Sequence, residues 1–242
     1  MHTAQITLDG DKQLHDRTRS AGKGLSSFEA ILSNSELAAA CIEIKLRIRV
    51  APFSVDRVKR LLTDVAERGI GNLVKELYFA PLFDYNPDPL ATQFKSDTKR
   101  FFDSRSFAAV ELELFGELKR LRFPMPDLLR APFSVCTAVQ ENAVVIGPSG
   151  NLYICYFELD DSARSGGDVR SGISASDHLA GWLNHEIARD DECRSCKFFP
   201  ICFGGCTHKW QKGADKGNIC TRLKLNADGL LPLMYTGTVA GP

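Results

Sequence analysis

Cys193-Arg194-Ser195-Cys196-Lys197-Phe198-Phe199-Pro200-Ile201-Cys202-Phe203-Gly204-Gly205-Cys206 packs four cysteines into fourteen residues, with gaps of two, five and three. Working outward, Cys136 and Cys155 precede this run and Cys220 follows it, so seven of the eight cysteines fall between positions 136 and 220. Cysteines that serve only as small buried residues have no reason to cluster, and reactivity rather than volume decides their fate. The density therefore points to ligation. Thiolates in groups of four hold zinc or iron. One zinc would use four ligands, for example Cys193, Cys196, Cys202 and Cys206, and leave Cys136, Cys155 and Cys220 unexplained. Two 4Fe–4S clusters take up to eight ligands, and seven cysteines are at hand. On spacing alone the iron–sulfur, zinc and disulfide readings all stay open.

The composition narrows the setting. The 242 residues imply one or two domains. Thirty basic residues balance thirty acidic ones, with no basic tail. Nucleic-acid binding rests on clustered Lys and Arg and is not expected. The N-terminus has no charged segment followed by an apolar one, and no run of about 18 apolar residues occurs, so neither a signal peptide nor a membrane span is expected. Without a secretion signal the cysteines read as metal or redox ligands, and a cytoplasmic location is expected.

Residues 1–122 alternate strand and helix. Residues 4–8 read as a strand ending at Asp9-Gly10, and 11–25 as a polar connection. Ser26 or Ser27 can cap a helix carrying Phe28, Ile31 and Leu32 on one face. Ile42, Ile44, Leu46, Ile48 and Val50 alternate with charged residues, a strand signal closed by Pro52. Ser54 is the expected N-cap of a helix with Val55, Val58, Leu61, Leu62 and Val65 at helical spacing, stopped by Gly69 and Gly71. Residues 73–80 form a third strand, 84–98 a polar and proline-containing stretch. A helix over 104–121 lines up Phe107, Val110, Leu114, Leu118 and Leu121. This alternation predicts an α/β domain with a parallel sheet.

After Pro124-Met125-Pro126 the character changes. Residues 143–146 and 152–155 flank Gly-Pro-Ser-Gly and predict a hairpin that carries Cys155 at its end. Residues 159–177 read as a Gly/Ser-rich loop and 177–188 as a helix with Leu179, Trp182, Leu183 and Ile187. The dense cysteine run is expected to hold little regular structure.

Cys136, thirteen residues, Gly150, four residues, Cys155, then Cys193-x2-Cys196-x5-Cys202-x3-Cys206 and Cys220 resemble the complete seven-cysteine motif of the SPASM domain. That domain is the C-terminal, auxiliary-cluster domain of radical SAM enzymes that modify peptides and proteins. The resemblance covers residues 136–220. It implies that Cys193, Cys196, Cys202 and Cys220 ligate an outer 4Fe–4S cluster, and that Cys136, Cys155 and Cys206 ligate an inner one. In sulfatase-maturating relatives the inner cluster takes a further cysteine just before the motif. Here residues 128–135 contain none, which leaves the fourth ligand of the inner cluster open.

The N-terminal half is similar, more loosely, to a strand-and-loop motif in the middle of the radical SAM barrel of those maturases: Gln5-Ile6-Thr7-Leu8-Asp9-Gly10, then His15-Asp16 and Arg19. The resemblance implies that Thr7 and Arg19 contact S-adenosylmethionine, the guanidinium pairing with the methionine carboxylate. Arg49 stands where the family's strand often has Asn. The Cys-x3-Cys-x2-Cys loop that holds the cluster which cleaves S-adenosylmethionine is absent from this sequence, as is the family's Gly-Gly-Glu stretch.

Together these imply a partial (β/α) radical SAM-type barrel over 1–122, beginning inside the barrel, and a small, irregular α+β SPASM domain over 123–235. The expected function is that of the C-terminal part of a radical SAM peptide or protein maturase. Its two auxiliary clusters would bind substrate or relay an electron, and S-adenosylmethionine would bind only with the missing barrel half. The chain alone is not expected to cleave S-adenosylmethionine. The alternative is a non-catalytic iron–sulfur or zinc module, or a scaffold, working with a separate chain that supplies the radical SAM core. A peptide or protein substrate is expected, with no nucleic acid and no membrane partner. Plainer readings attach to other residues: Cys41 as a small core residue, His15-Asp16 as a turn pair, and His185 and His208, near the cysteines, as surface histidines, with filling of the open inner-cluster position as the alternative for either. Asp160 and Asp161 read as a solvated loop, and Trp182 and Trp210 as packing residues. Tyr156 stands where maturases place a basic Asp directly after the second motif cysteine, so no catalytic residue is assigned.

Overall fold

The computed structural model describes residues 2–19, 22, 24–82, 100–125, 136–159, 161–174, 177–185 and 190–235. The stretches 84–98 and 128–135, Asp160 and Ile187, all read above from sequence, lie outside the described residues. The chain divides into two compact units, Met1–Leu128 with Asn226–Pro242, and Leu129–Leu225.

The first unit is built on three parallel strands, β1 (Thr3–Leu8), β2 (Glu43–Val50) and β3 (Val74–Pro81), in that spatial order. Ile6 lies opposite Leu46, and Leu46 opposite Leu77. The alternation on β2 is realised: Ile44, Leu46, Ile48 and Val50 are fully buried, while Glu43 is exposed and Lys45, Arg47 and Arg49 are half-buried on the opposite face. Helices α2 (Ser27–Ala39), α3 (Val55–Glu67) and α4 (Ser104–Arg120) supply the buried apolar residues that complete this core. From α3 come Val58, Leu61, Leu62 and Val65, as their helical spacing predicts, and α4 sets Phe115 edge-on to Phe79. Asp103 caps α4 by accepting the Ser106 N–H at 2.7 Å. Ser54 differs from its expected role: its hydroxyl accepts the Ala51 N–H at 2.8 Å in the turn before α3 and does not cap the helix.

The polar connection contains a helix that periodicity did not reveal, α1 (Lys12–Thr18). Its buried residues are only Leu14 and His15, so no apolar stripe marks it. Polar bonds hold it instead. Asp11 caps it through the Leu14 N–H, and Asp16 accepts the Phe28 N–H at 2.9 Å and the Ser26 hydroxyl at 2.7 Å, tying α1 to the start of α2. His15 and Asp16 therefore sit on a helix, not in a turn. Cys41 is exposed, not a core residue, because the chain leaves α2 before it reaches the sheet.

The second unit begins with the expected hairpin, β4 (Val145–Ile146) against β5 (Asn151–Tyr153). The region read as a loop adds β6 (Gly167–Asp168) and β7 (Gly172–Ile173), giving a four-stranded antiparallel sheet. These strands are two residues long and half glycine, too short for any alternation to show. Helix α5 (Asp177–Leu183) buries Trp182 in a core with Ala138, Ile154 and Cys155, as a packing role predicts. The cysteine run is more regular than expected: α6 (Asp191–Arg194), α7 (Phe199–Cys202), α8 (Thr207–Gln211) and α9 (Lys216–Ile219) are each four or five residues long. Single turns this short escape any periodicity test and depend on local caps. A final helix, α10 (Arg222–Tyr235), which no sequence pattern above predicts, belongs from Asn226 onward to the first unit, where Leu230 is buried, Gly229 lies against Leu112, and Asn226 donates to the Ala108 carbonyl. Among the described residues no helix is long and apolar enough to cross a membrane.

Candidate metal centre

Each cysteine of the dense run is placed by a backbone device. Asp190 caps α6 by accepting the Cys193 N–H at 2.9 Å. Pro200 sits in the first turn of α7, where its missing N–H costs nothing, and Cys202 is the last helical residue. The chain then runs through three consecutive residues with positive φ, Phe203 (47°), Gly204 (81°) and Gly205 (81°). This reversal lets the Gly204 N–H donate to Cys202 Sγ at 3.3 Å. Cys206 follows as the residue that opens α8, and Cys220 closes α9.

The result is a partition of the thiols. Cys193, Cys196, Cys202 and Cys220 line one narrow recess together with Phe199, Gly204, Ile219, Lys216 and Lys224. These are the four residues that the motif assigns to one cluster. Cys155 is buried, and burial pushes its thiol up to about 11, with the neighbouring charges of Cys206, Glu158 and Cys136 adding to the rise. Cys206 and Cys136, the other two motif cysteines, are near enough for their charge to act on Cys155. All eight cysteines are free thiols, so no disulfide is formed.

A single ion takes thiolates at about 2.3 Å, and among the described residues no three His, Cys, Asp or Glu side chains converge closely enough to hold one. Four thiols around one recess are a donor set that an iron–sulfur cluster or a tetrahedral ion uses.

Charged residues absent from the sequence reading complete the recess. Lys216 Nζ lies 3.7 Å from Cys193 Sγ and 2.5 Å from Asp190 Oδ1. Lys224 Nζ lies 2.5 Å from Glu192 Oε1, and its charge reaches Cys220 and Cys196. The Lys216 ammonium and the Cys193 N–H hold the Asp190 carboxyl down at about 2. The signal for these groups was present: Lys216 and Lys224 flank Cys220 at four residues on either side, and Asp190 and Glu192 precede Cys193 by three and one.

His208 is buried, in contrast to a surface histidine, and lies between the rings of Phe157 (5.3 Å) and Trp182 (6.3 Å). His185 is half-buried against Trp210, and burial lowers its pKa. Asp161 is exposed and paired with Arg164 at 2.8 Å, as a solvated loop residue would be. Buried Glu158 accepts from Arg164 at 3.2 Å and meets His178 at 3.0 Å.

In the first unit, Thr7 lies opposite Arg47 on the polar face of the sheet. Arg19 closes α1 and donates to Asp9 Oδ2 at 2.9 Å, and Arg49 reaches the same oxygen at 3.2 Å. Both guanidiniums thus already hold a carboxylate, that of Asp9, which is buried two residues beyond Thr7.

No family model matches the chain. Over 214 residues it is 23% identical to a cysteine-type anaerobic sulfatase-maturating enzyme of Clostridium novyi (strain NT), covering 83% of this chain and 56% of that enzyme. The chain therefore spans little more than half the length of this relative. Its fold is also that of native anSMEcpe solved with bound AdoMet and the Cp18Cys peptide, with a TM-score of 0.59 at 16% identity, over 96% of this chain and 67% of the other. The resemblance to anaerobic sulfatase-maturating enzymes first drawn from the cysteine motif is thus present across most of the chain.

Proposed function

We propose that this chain is the auxiliary-cluster portion of a radical SAM peptide maturase. Cys193, Cys196, Cys202 and Cys220 hold an outer 4Fe–4S cluster, and Cys136, Cys155 and Cys206 an inner one. The observation that carries this reading is the recess lined by the first four thiols, two of which, Cys193 and Cys220, are twenty-seven residues apart. Such clusters, when bound, supply one-electron transfer at a potential set by charge and hydrogen bonding. The chain's own residues bind and orient the clusters and keep the Cys155 side near-dry. The first unit is the matching part of a (β/α) barrel, in which Thr7 on the polar sheet face and Arg19 at the end of α1 are the S-adenosylmethionine contacts, and the SPASM domain follows it. In that role Arg19 exchanges the Asp9 carboxylate for that of the cofactor. The substrate is a peptide, in keeping with the peptide bound to the structurally similar maturase.

A second reading shares the clusters but assigns the radical chemistry to a separate chain. The sequence contains no Cys-x3-Cys-x2-Cys, which is compatible with both readings. Metal analysis of anaerobically prepared protein tests the common core of both. About eight iron and eight sulfide per chain are expected; one zinc without sulfide overturns both. Reductive cleavage of S-adenosylmethionine by the purified chain alone would overturn the second.

A further inference from the structure

We propose that Lys216 and Asp190 form a charge pair that positions the electrostatics of the outer cluster and sets its reduction potential, Lys216 raising it and Asp190 lowering it. The inference rests on the two-cluster reading above and adds to it a pair of residues that the cysteine motif does not contain.

The Lys216 ammonium is fixed from three directions. It sits 2.5 Å from the Asp190 carboxylate, 4.1 Å from the centre of the Trp210 ring, and 3.7 Å from Cys193 Sγ. A lysine tail ordinarily swings freely in solvent; this one is clamped between an anion and an aromatic face. Trp210 is itself held, its indole N–H donating to the Gly204 carbonyl at 2.7 Å, and the Gly204 N–H in turn donates to Cys202 Sγ. Asp190 is held as the cap of α6 through the Cys193 N–H. The cation, the anion and the sulfur are thus locked into one arrangement by α6, α8 and α9 together.

Reduction adds an electron to a cluster whose four thiolates already make it anionic. A cation and an N–H donor at a ligating sulfur favour the reduced form and raise the potential; an anion at the same sulfur does the reverse. Because the Coulomb interaction falls with distance, groups in contact with Cys193 act most strongly. The Lys224–Glu192 pair acts in the same way beside Cys220 and Cys196. Removing Lys216 deprives the sulfur of its donor and leaves the Asp190 charge uncompensated beside it, so the two effects add. Replacing Asp190 with Asn keeps a good helix cap while deleting the charge, so Lys216 acts unopposed.

The test is an anaerobic potentiometric titration of the full chain with dithionite as reductant, read by the electron paramagnetic resonance signal of the reduced clusters, with iron and sulfide counted in each sample. Lys216→Gln is expected to move one of the two reduction steps to lower potential, Asp190→Asn to move the same step to higher potential, and Lys216→Arg to leave it near the wild type. The other step stays in place in all three. A purely structural role would shift both variants in one direction or lower the iron content without altering the potential. Unchanged steps in Lys216→Gln and Asp190→Asn at full iron content overturn the inference alone. If Lys216→Gln loses iron, Asp190→Asn decides by the sign of its shift. Wild-type protein without sulfide overturns the cluster reading and this inference with it.

Discussion

Gly205 stands so close to Ile219 that a β-carbon on the glycine would overlap the Ile219 carbonyl oxygen. This contact presses the turn after Cys202 against the end of α9 and so sets Cys220 beside the other three thiols of the recess. Gly205 also has a φ of 81°, where an L side chain costs roughly 1 kcal/mol before any clash is counted. Gly205→Ala is therefore expected to separate Cys220 from its partners. Iron per chain should fall by about half in metal analysis. The first unit, which has its own core, should unfold at its usual temperature. Full iron content in this variant would show that the close approach is not needed for the site.

The division of the cysteines into four and three makes a paired prediction. Cys206→Ala removes a thiol from the Cys136–Cys155 group and leaves the recess lined by Cys193, Cys196, Cys202 and Cys220 intact. About four iron and four sulfide should remain, with a single reduction step. Cys196→Ala should do the converse and spare the other step. If both variants lose the same step, the partition is wrong.

His15 carries a pH dependence that can be worked out in sign. It is fully buried, its Nδ1 accepts the Asp9 N–H at 3.1 Å, and burial pushes its pKa below the ordinary 6.5 against the opposing pull of Asp9 and Asp16. The nearby Arg19 and Arg49 guanidiniums push the same way as burial. A base whose folded pKa is depressed leaves the unfolded chain binding more protons below 6.5, so stability falls with pH from 6.5 down to the folded value. The slope for one proton is at most about 1.4 kcal/mol per pH unit. His15→Asn keeps an acceptor for the Asp9 N–H and cannot titrate here. Denaturant unfolding at pH 7 and pH 5 should show a smaller loss in the variant than in the wild type; equal losses would place the proton elsewhere.

Glu29 provides the acidic counterpart. Arg68 and Lys12 bond its carboxylate, at 2.8 and 2.9 Å, and hold its pKa at about 2. A depressed carboxylate stabilises the fold above its unfolded pKa, near 4.5, and that contribution disappears as pH falls through the folded value. The group is more than one third exposed, so solvent screens it and the whole network contributes only about 0.5–1 kcal/mol. Glu29→Gln should cost that much at pH 7, less in high salt, and nothing measurable near pH 2.

What could be read from sequence follows the length scale of the signal. The strand at 43–50 and helix α3 repeat their pattern over eight and thirteen residues, enough to define a face, and both fold as expected. Helix α1 is held by Asp11 and Asp16 bonds and buries two side chains, so no pattern betrays it. Helices α6 to α9 are single turns whose caps are visible as Asp190 and Asp215 only once their partners are known. The grouping of Cys193, Cys196, Cys202 and Cys220 was legible because cysteine spacing is a chemical signal, independent of secondary structure. Lys216 was not, because its role depends on a fold-dependent meeting with Cys193, twenty-three residues away.

Cys41 is the exposed thiol that the motif leaves out, and it offers a count of the other seven. A thiol reacts as its thiolate, and access governs the rate. In anaerobically isolated protein with both clusters bound, a maleimide probe should label one thiol per chain, and mass spectrometry should place it at Cys41. Removing iron by chelation under denaturing conditions should expose the full set of eight. In folded protein stripped of metal, Cys155 should lag the others, because burial holds its thiol protonated with a pKa of about 11. Ready labelling of Cys193, Cys196, Cys202 or Cys220 in the loaded protein would mean that the recess does not bind metal through these sulfurs.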